Sequence, residues 1–121
     1  MNDAINLVTR FLQALEERDI DTASALLAPD VEMIFPGGAV FTQLEDLVAW
    51  AKPRYRWVRK AVTRMDTAET QDGTAVFCQG TLYGEWPDGT SFDNIRFADW
   101  FLLRDRLIAR QHVWNDIAEI R

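Results

Sequence analysis

The 121-residue chain has one cysteine, Cys78, and one histidine, His112. A lone cysteine excludes an intramolecular disulfide framework and a cysteine-based zinc site. One histidine with scattered carboxylates and no His-x-x-x-His pair leaves no metal-ligand set, so no metal and no cofactor are expected. Glycine and proline are few, 6 and 4; no Gly/Ser-rich or Pro-rich linker divides the chain, and nothing in it repeats. Positive charge is in the minority. The 13 Lys and Arg against 19 Asp and Glu give a formal net charge of −6, which argues against nucleic acid and anionic membranes as partners, because both want a basic face. No apolar run approaches membrane-spanning length, and the opening MNDAINLVTRFLQ carries acid early, with no basic segment leading into an apolar one. A soluble, cytoplasmic protein is expected, with a single domain over residues 1–121 whose 48% hydrophobic content suits a real core.

What the chain does have is a concentration of aromatic and aliphatic residues from Phe92 to Asp116, FDNIRFADWFLLRDRLIARQHVWND. Two such runs flank Arg104-Asp105-Arg106, which reads as an antiparallel hairpin of two long strands. Strand side chains alternate, so Asp99 shares a face with Phe97 and Phe101 and is expected to be buried. A buried carboxylate is costly unless it is partnered, protonated or functional. Two readings follow: desolvation raises the pKa and makes Asp99 an acid or base, or an arginine such as Arg10 or Arg64 pairs with it, lowers the pKa and makes it structural.

Upstream, Ile5, Val8, Phe11, Leu12 and Leu15 recur at helical spacing after Asn2 or Asp3 as a candidate N-cap. Asp19 or Asp21 caps a short second helix through Leu26 and Leu27, ended by Pro29. A strand over Val31–Phe35 stops at Pro36-Gly37-Gly38. Thr42 and Glu45 match a capping box, so a third helix starts near Gln43 and is kinked or ended by Pro53. Tyr55, Trp57 and Val58 interleave with Arg54, Arg56, Arg59 and Lys60, reading as a basic solvated helix end or as an aromatic lip over a pocket. A strand over Val62–Glu69, a turn at Asp72-Gly73 and a strand over Thr74–Trp86 lead into the hairpin. Helices segregated from a run of antiparallel strands indicate an α+β two-layer domain.

Alternation separates Phe77, Gln79, Thr81 and Tyr83 from Val76, Cys78, Leu82 and Trp86, and we place the first set with Asp99 on the pocket side. The other face would then present Leu82, Trp86 and Trp100, a large apolar patch for a monomer. A homodimer through the sheet face is expected, with Trp86, Trp100 and Trp114 in or near its interface.

The segments VTRFLQALEERDIDTASALLAPDVEMIFPGG and FADWFLLRDRLIARQHVWND, in this order and spacing, resemble the nuclear transport factor 2-like superfamily. It includes ketosteroid isomerases, SnoaL-like polyketide cyclases and limonene-epoxide-hydrolase-like enzymes. The resemblance covers nearly the whole chain. It implies a cone-shaped two-layer domain in which three N-terminal helices pack on a curved antiparallel sheet enclosing a pocket. Asp99 falls where ketosteroid isomerases keep a neutral carboxylic acid that donates a hydrogen bond to an oxyanion. The isomerase general base corresponds to Met33 and the oxyanion tyrosine to Phe11, neither of which can serve. The last-strand Asp of cyclases and epoxide hydrolases corresponds to Val113, and the water-activating Arg and Asp of the latter to Gln79 and Thr81. A one-residue slip would bring His112 inward instead.

Catalysis thus rests on Asp99 and, in the slipped register, on His112 oriented by Asp99 or Asp116; otherwise His112 is a polar residue of the dimer interface. The expected pocket has Gln79, Thr81, Gln111 and Asn115 as polar groups, Tyr83 at the rim, and Phe11, Met33, Trp50, Phe97, Phe101 and Val113 as apolar wall. It suits a small apolar molecule. Three functions stay open: an isomerase, cyclase or hydrolase acting on an apolar carbonyl-bearing substrate, a non-catalytic binder of a hydrophobic ligand, or a dimeric interaction module with a filled core.

Overall fold

A computed structural model describes residues 3–120; the candidate cap Asn2 lies outside them. The first helix, α1 (Asp3–Glu16), buries Val8, Phe11, Leu12 and Ala14. It ends because Arg18 turns left-handed at φ 57. The amide of Asp19 then reaches back to Ala14 O (2.8 Å) and that of Arg18 to Leu15 O (3.1 Å), satisfying two orphaned carbonyls. Asp19 next caps α2 (Ile20–Ala25), accepting from Thr22 N.

The second helix is shorter than expected, and β1 (Leu27–Phe35) starts earlier. Pro29 sits inside β1, where the ladder to the last strand is interrupted between Leu27 and Glu32. An irregular stretch of this kind tolerates a residue without an N–H. Gly37 and Gly38, at φ 87 and 81, reverse the chain into β2 (Ala39–Phe41), an edge strand too short to be read from periodicity. Helix α3 (Leu44–Ala51) begins after Gln43, whose side chain makes no capping bond. The capping box expected from Thr42 and Glu45 therefore does not form at the observed N-cap.

Three long strands follow, β3 (Trp57–Thr70), β4 (Gly73–Glu85) and β5 (Ser91–Arg104), then β6 (Leu107–Asn115) and a single turn, α4 (Ile117–Ile120). The segment from Trp57 to Lys60 is the start of β3 and not the end of a helix: Val58 and Lys60 face one side, Trp57 and Arg59 the other.

The six strands lie in the order β2-β1-β6-β5-β4-β3 and form a curved, unclosed sheet with the helices packed on it. The architecture is the expected α+β cone. One element departs from the all-antiparallel expectation: β1 runs parallel to β6, with Met33 opposite Gln111 and Ile34 opposite His112. Bulges between Val62 and Arg64 and between Leu82 and Gly84 interrupt the long ladders, and bulges of this kind bend a sheet. At the first, Gly80 is obligatory: a Cβ there would lie 2.0 Å from Ala61 O.

The core lies between α1, α2, α3 and the concave face of the sheet, with Val8, Phe11, Met33, Val76, Phe101 and Ile108 fully buried. Among the described residues no helix is long and apolar enough to cross a membrane.

Candidate functional site

The pairing of β4 with β5 decides which side chains meet at the site. Cys78 lies opposite Asp99, and directly paired residues point to the same face. Val76, Cys78 and Leu82 therefore share the concave side with Asp99, while Phe77, Gln79 and Tyr83 project outward and are exposed. This corrects the phase expected for the strand. Gln79, Thr81 and Tyr83 belong to the convex face, and Leu82 and Trp86 are buried on the cavity side. Shifting the phase of a strand by one residue moves every side chain to the opposite face.

On β5 the alternation places Ile95, Phe97, Asp99, Phe101 and Leu103 inward, all buried. Asp99 is 0% exposed. Its partner is neither Arg10 nor Arg64. Lys60, from the first turnings of β3, brings its Nζ into contact with Asp99 Oδ2. The backbone N–H of Lys60 donates to Glu16 Oε2 (2.8 Å), tying this part of β3 to the end of α1. The ammonium also stands 4.9 Å from the centre of the Phe97 ring, within cation–π range. The second carboxylate oxygen, Asp99 Oδ1, has no hydrogen-bond partner among the described residues.

Burial pushes the Asp99 carboxyl above its ordinary pKa, and the Lys60 ammonium opposes the shift without cancelling it. The neighbouring Cys78 thiol is pushed up to about 11, by burial first and by Asp99 second, with Lys60 acting in the opposite sense. A thiol held there is neutral and is no nucleophile.

A cavity of about 590 Å³ opens between α1, α3 and the concave sheet. Leu12 and Leu15 of α1, Leu47 and Trp50 of α3, and Val58, Leu82, Phe97 and Val113 of the sheet supply apolar wall. Trp50 is edge-on to Phe35 (5.5 Å between ring centres) and carries the Arg54 guanidinium over its own face at 3.8 Å. Polar groups are few: Glu16, Arg18, Arg54, Tyr55, Lys60, Gln111 and Asn115. Burial raises the Tyr55 phenol, and the cations Arg18, Lys60 and Arg54 pull it back down. The side chain of Asn115 is engaged, accepting from Ile117 N at 3.2 Å.

Apart from Gln79, Thr81 and Tyr83 on the convex face, the expected site residues separate into four groups. Trp50, Phe97, Gln111, Val113 and Asn115 line the cavity. Phe11, Met33 and Phe101 are fully buried in the core beneath it and are not part of its wall. Asp99 is also absent from the wall, because Lys60 covers it. His112 is on the convex face, its ring 5.0 Å from Trp100 and 5.9 Å from Trp114. It cannot pair with Asp99 through the sheet, and Asp116 is taken by Arg96 (Nε to Oδ2, 2.6 Å). His112 therefore lies outside the cavity, on the opposite face of the sheet.

Lys60 is the cavity residue beside Asp99 that sequence reasoning missed. The signal was present: Val58 and Lys60 alternate with Trp57 and Arg59 at strand spacing, but charges on both sides of the alternation read as solvated. Of the stretch read alternatively as an aromatic lip, Tyr55 and Val58 line the cavity while Trp57 lies on the other face and is exposed. Among the described residues no three His, Cys, Asp or Glu side chains come together as a metal site.

A SnoaL-like domain model matches residues 8–111. No protein of curated function is similar to the chain at a significant level. Solved structures of the same fold include a nuclear transport factor 2-like protein of unknown function from Burkholderia pseudomallei (TM-score 0.81, 19% identity, covering 99% of this chain and 95% of that one). TerC co-crystallised with polyporic acid is similar at TM-score 0.81 and 20% identity over 98% of this chain and 95% of its own. A candidate polyketide cyclase from Xanthomonas campestris pv. campestris is similar at TM-score 0.77 and 20% identity over 98% and 93%.

Proposed function

The chain belongs to the SnoaL-like domain family, and on that premise we propose that it binds a small, largely apolar, carbonyl-bearing molecule in the concave cavity and acts on it through the Lys60–Asp99 pair. The observation that carries this reading is the position of Lys60, an ammonium in a mostly apolar wall with a fully buried carboxylate behind it. A hydrophobic body with one carbonyl suits mostly apolar walls with a few convergent polar groups. Lys60 Nζ donates to the carbonyl oxygen and stabilises negative charge that develops there as the adjacent carbon gives up a proton to water or as a nucleophile adds. Asp99 acts behind it as a positioning residue: its Oδ2 holds Nζ in place. Isomerisation, cyclisation and hydrolysis of a carbonyl compound each develop charge on such an oxygen. That TerC is co-crystallised with polyporic acid and that another neighbour is a candidate polyketide cyclase supports an organic small molecule as the ligand class.

A second reading, a binder without turnover, is favoured by a separate observation. Val113 lines the cavity and Met33 and Phe11 lie beneath it, at positions where relatives implied by the resemblance hold reactive groups. Thermal-shift screening against apolar ketones, aldehydes and esters, followed by NMR of each hit over time, separates the two. Turnover lost in Lys60→Met supports the first reading; binding without turnover moves the protein to the second. Absence of any binding overturns both.

A further inference from the structure

Gln111 is 1% exposed, lines the cavity, and its Oε1 has no hydrogen-bond partner among the described residues. Its neighbours across the sheet are Met33 on β1 and Phe101 on β5, both fully buried, so the carboxamide is delivered to the concave side between apolar side chains. An acceptor left unmade in such a place carries the full desolvation penalty of the group, a cost that a methionine there would not incur. Lys60 is the complement. Its ammonium has three donors, of which Asp99 Oδ2 accepts one. Asp99, on which Nζ sits, pairs with Val113, so Asp99 and Gln111 are diagonal neighbours on the concave face of β5 and β6. Diagonal neighbours on one face are roughly 7–8 Å apart.

We infer that the ligand carries a hydroxyl and a carbonyl on neighbouring carbons, an apolar α-hydroxy carbonyl compound or its enol. The carbonyl oxygen accepts from Lys60 Nζ while the hydroxyl donates to Gln111 Oε1. A hydroxyl serves the carboxamide in either orientation, since it can donate to Oε1 or accept from Nε2. A ligand ammonium in the same place would lie beside Lys60 and be repelled. The inference rests on the proposed small-molecule reading and narrows its ligand class.

Three matched probes test it by calorimetric titration of the unaltered protein: 2-hydroxy-1-(naphthalen-2-yl)ethanone, the ketone lacking the hydroxyl, and the alcohol lacking the carbonyl. The hydroxy ketone is expected to bind roughly tenfold more tightly than either, the worth of one well-made buried hydrogen bond. Gln111→Met should abolish the preference over the plain ketone, Gln111→Glu, which keeps an acceptor oxygen, should retain it, and Lys60→Met should abolish the preference over the alcohol. Equal affinity for the hydroxy ketone and the plain ketone overturns the inference and leaves the pocket reading standing, without recourse to a variant. A preference that survives Gln111→Met in a folded protein also overturns it. Failure of all three probes to bind overturns the inference together with the pocket reading.

Discussion

Lys60 stands between Asp99 and the cavity: its Nζ meets Asp99 Oδ2, and Lys60 lines the cavity while Asp99 does not. The carboxylate that dominates the sequence therefore stands one side chain back from the cavity. Whatever binds meets the ammonium first.

The Asp99 pKa is expected above the ~3.9 of a free aspartate, because burial outweighs the pull of Lys60. A folded-state pKa above the unfolded one means that the contribution of Asp99 to stability is fully present below ~3.9 and is lost as the pH rises through the folded value. The chemical shift of its carboxyl carbon followed through a titration gives the value directly. The stability of the unaltered protein relative to Asp99→Asn should fall over the same window. A midpoint below ~3.9 contradicts the expectation.

Breaking the pair from one side should be worse than removing it. Lys60→Met leaves a buried carboxylate alone, at a cost of about 3–5 kcal/mol if it stays ionised and less where it takes up a proton. The double variant Lys60→Met/Asp99→Leu should recover most of that loss, since an apolar replacement of a buried pair is often neutral or stabilising. Urea unfolding of the four proteins measures the coupling; strictly additive losses would show that the two side chains do not act as a pair.

Gly80→Ala should cost about 1–3 kcal/mol, the usual range for forcing atoms into a packed site. The added Cβ would meet Ala61 O at 2.0 Å and Thr63 N at 3.1 Å, both backbone atoms of β3. β3 must then move off β4, taking Lys60 with it, so the Asp99 titration should shift along with the melting temperature. An alanine variant of unchanged stability would contradict this account of the bulge.

The convex face is expected to associate with a second copy of the chain. Phe77 is 52% and Trp114 56% exposed, with Trp57 and Tyr83 also open to solvent and Trp100 and His112 between them. The centre of the patch differs from the sequence expectation, since Trp86 packs on Phe92 (4.1 Å between ring centres) and is buried. A stable dimer needs about 800 Å² from each partner. Sedimentation should find a dimer at micromolar concentration, and Trp114→Glu or Phe77→Glu should dissociate it. A monomer with intact folding would remove the proposed interface.

No isomerisation of a Δ5-3-ketosteroid is expected, because Met33 and Phe11 are 0% exposed and carry neither a base nor a hydroxyl. The growth of conjugated-enone absorbance is the assay. Measurable turnover by the unaltered chain would mean that Lys60 and Asp99 alone carry the reaction.

Local pattern by itself determined much of this protein. The period of α1, an aspartate cap for α2 from Asp19 or Asp21, the β5–β6 hairpin and the inward burial of Asp99 all follow from residues within a few positions of one another, and each is found in the structure, with Asp19 as the cap. The family-like order of the two end segments was equally legible, and with it the α+β cone. Tertiary structure decided the rest. Whether Gln79 or Cys78 faces the cavity depends on how β4 registers against β5, and a strand apolar on both faces carries no mark of its phase. The parallel contact of β1 with β6 joins residues that are far apart in sequence, with no local turn to announce it. Lys60 became part of the site because a bulge opposite Gly80 and a hydrogen bond to Glu16 place β3 over Asp99. That relationship spans 39 positions, and no periodicity along the chain reaches so far.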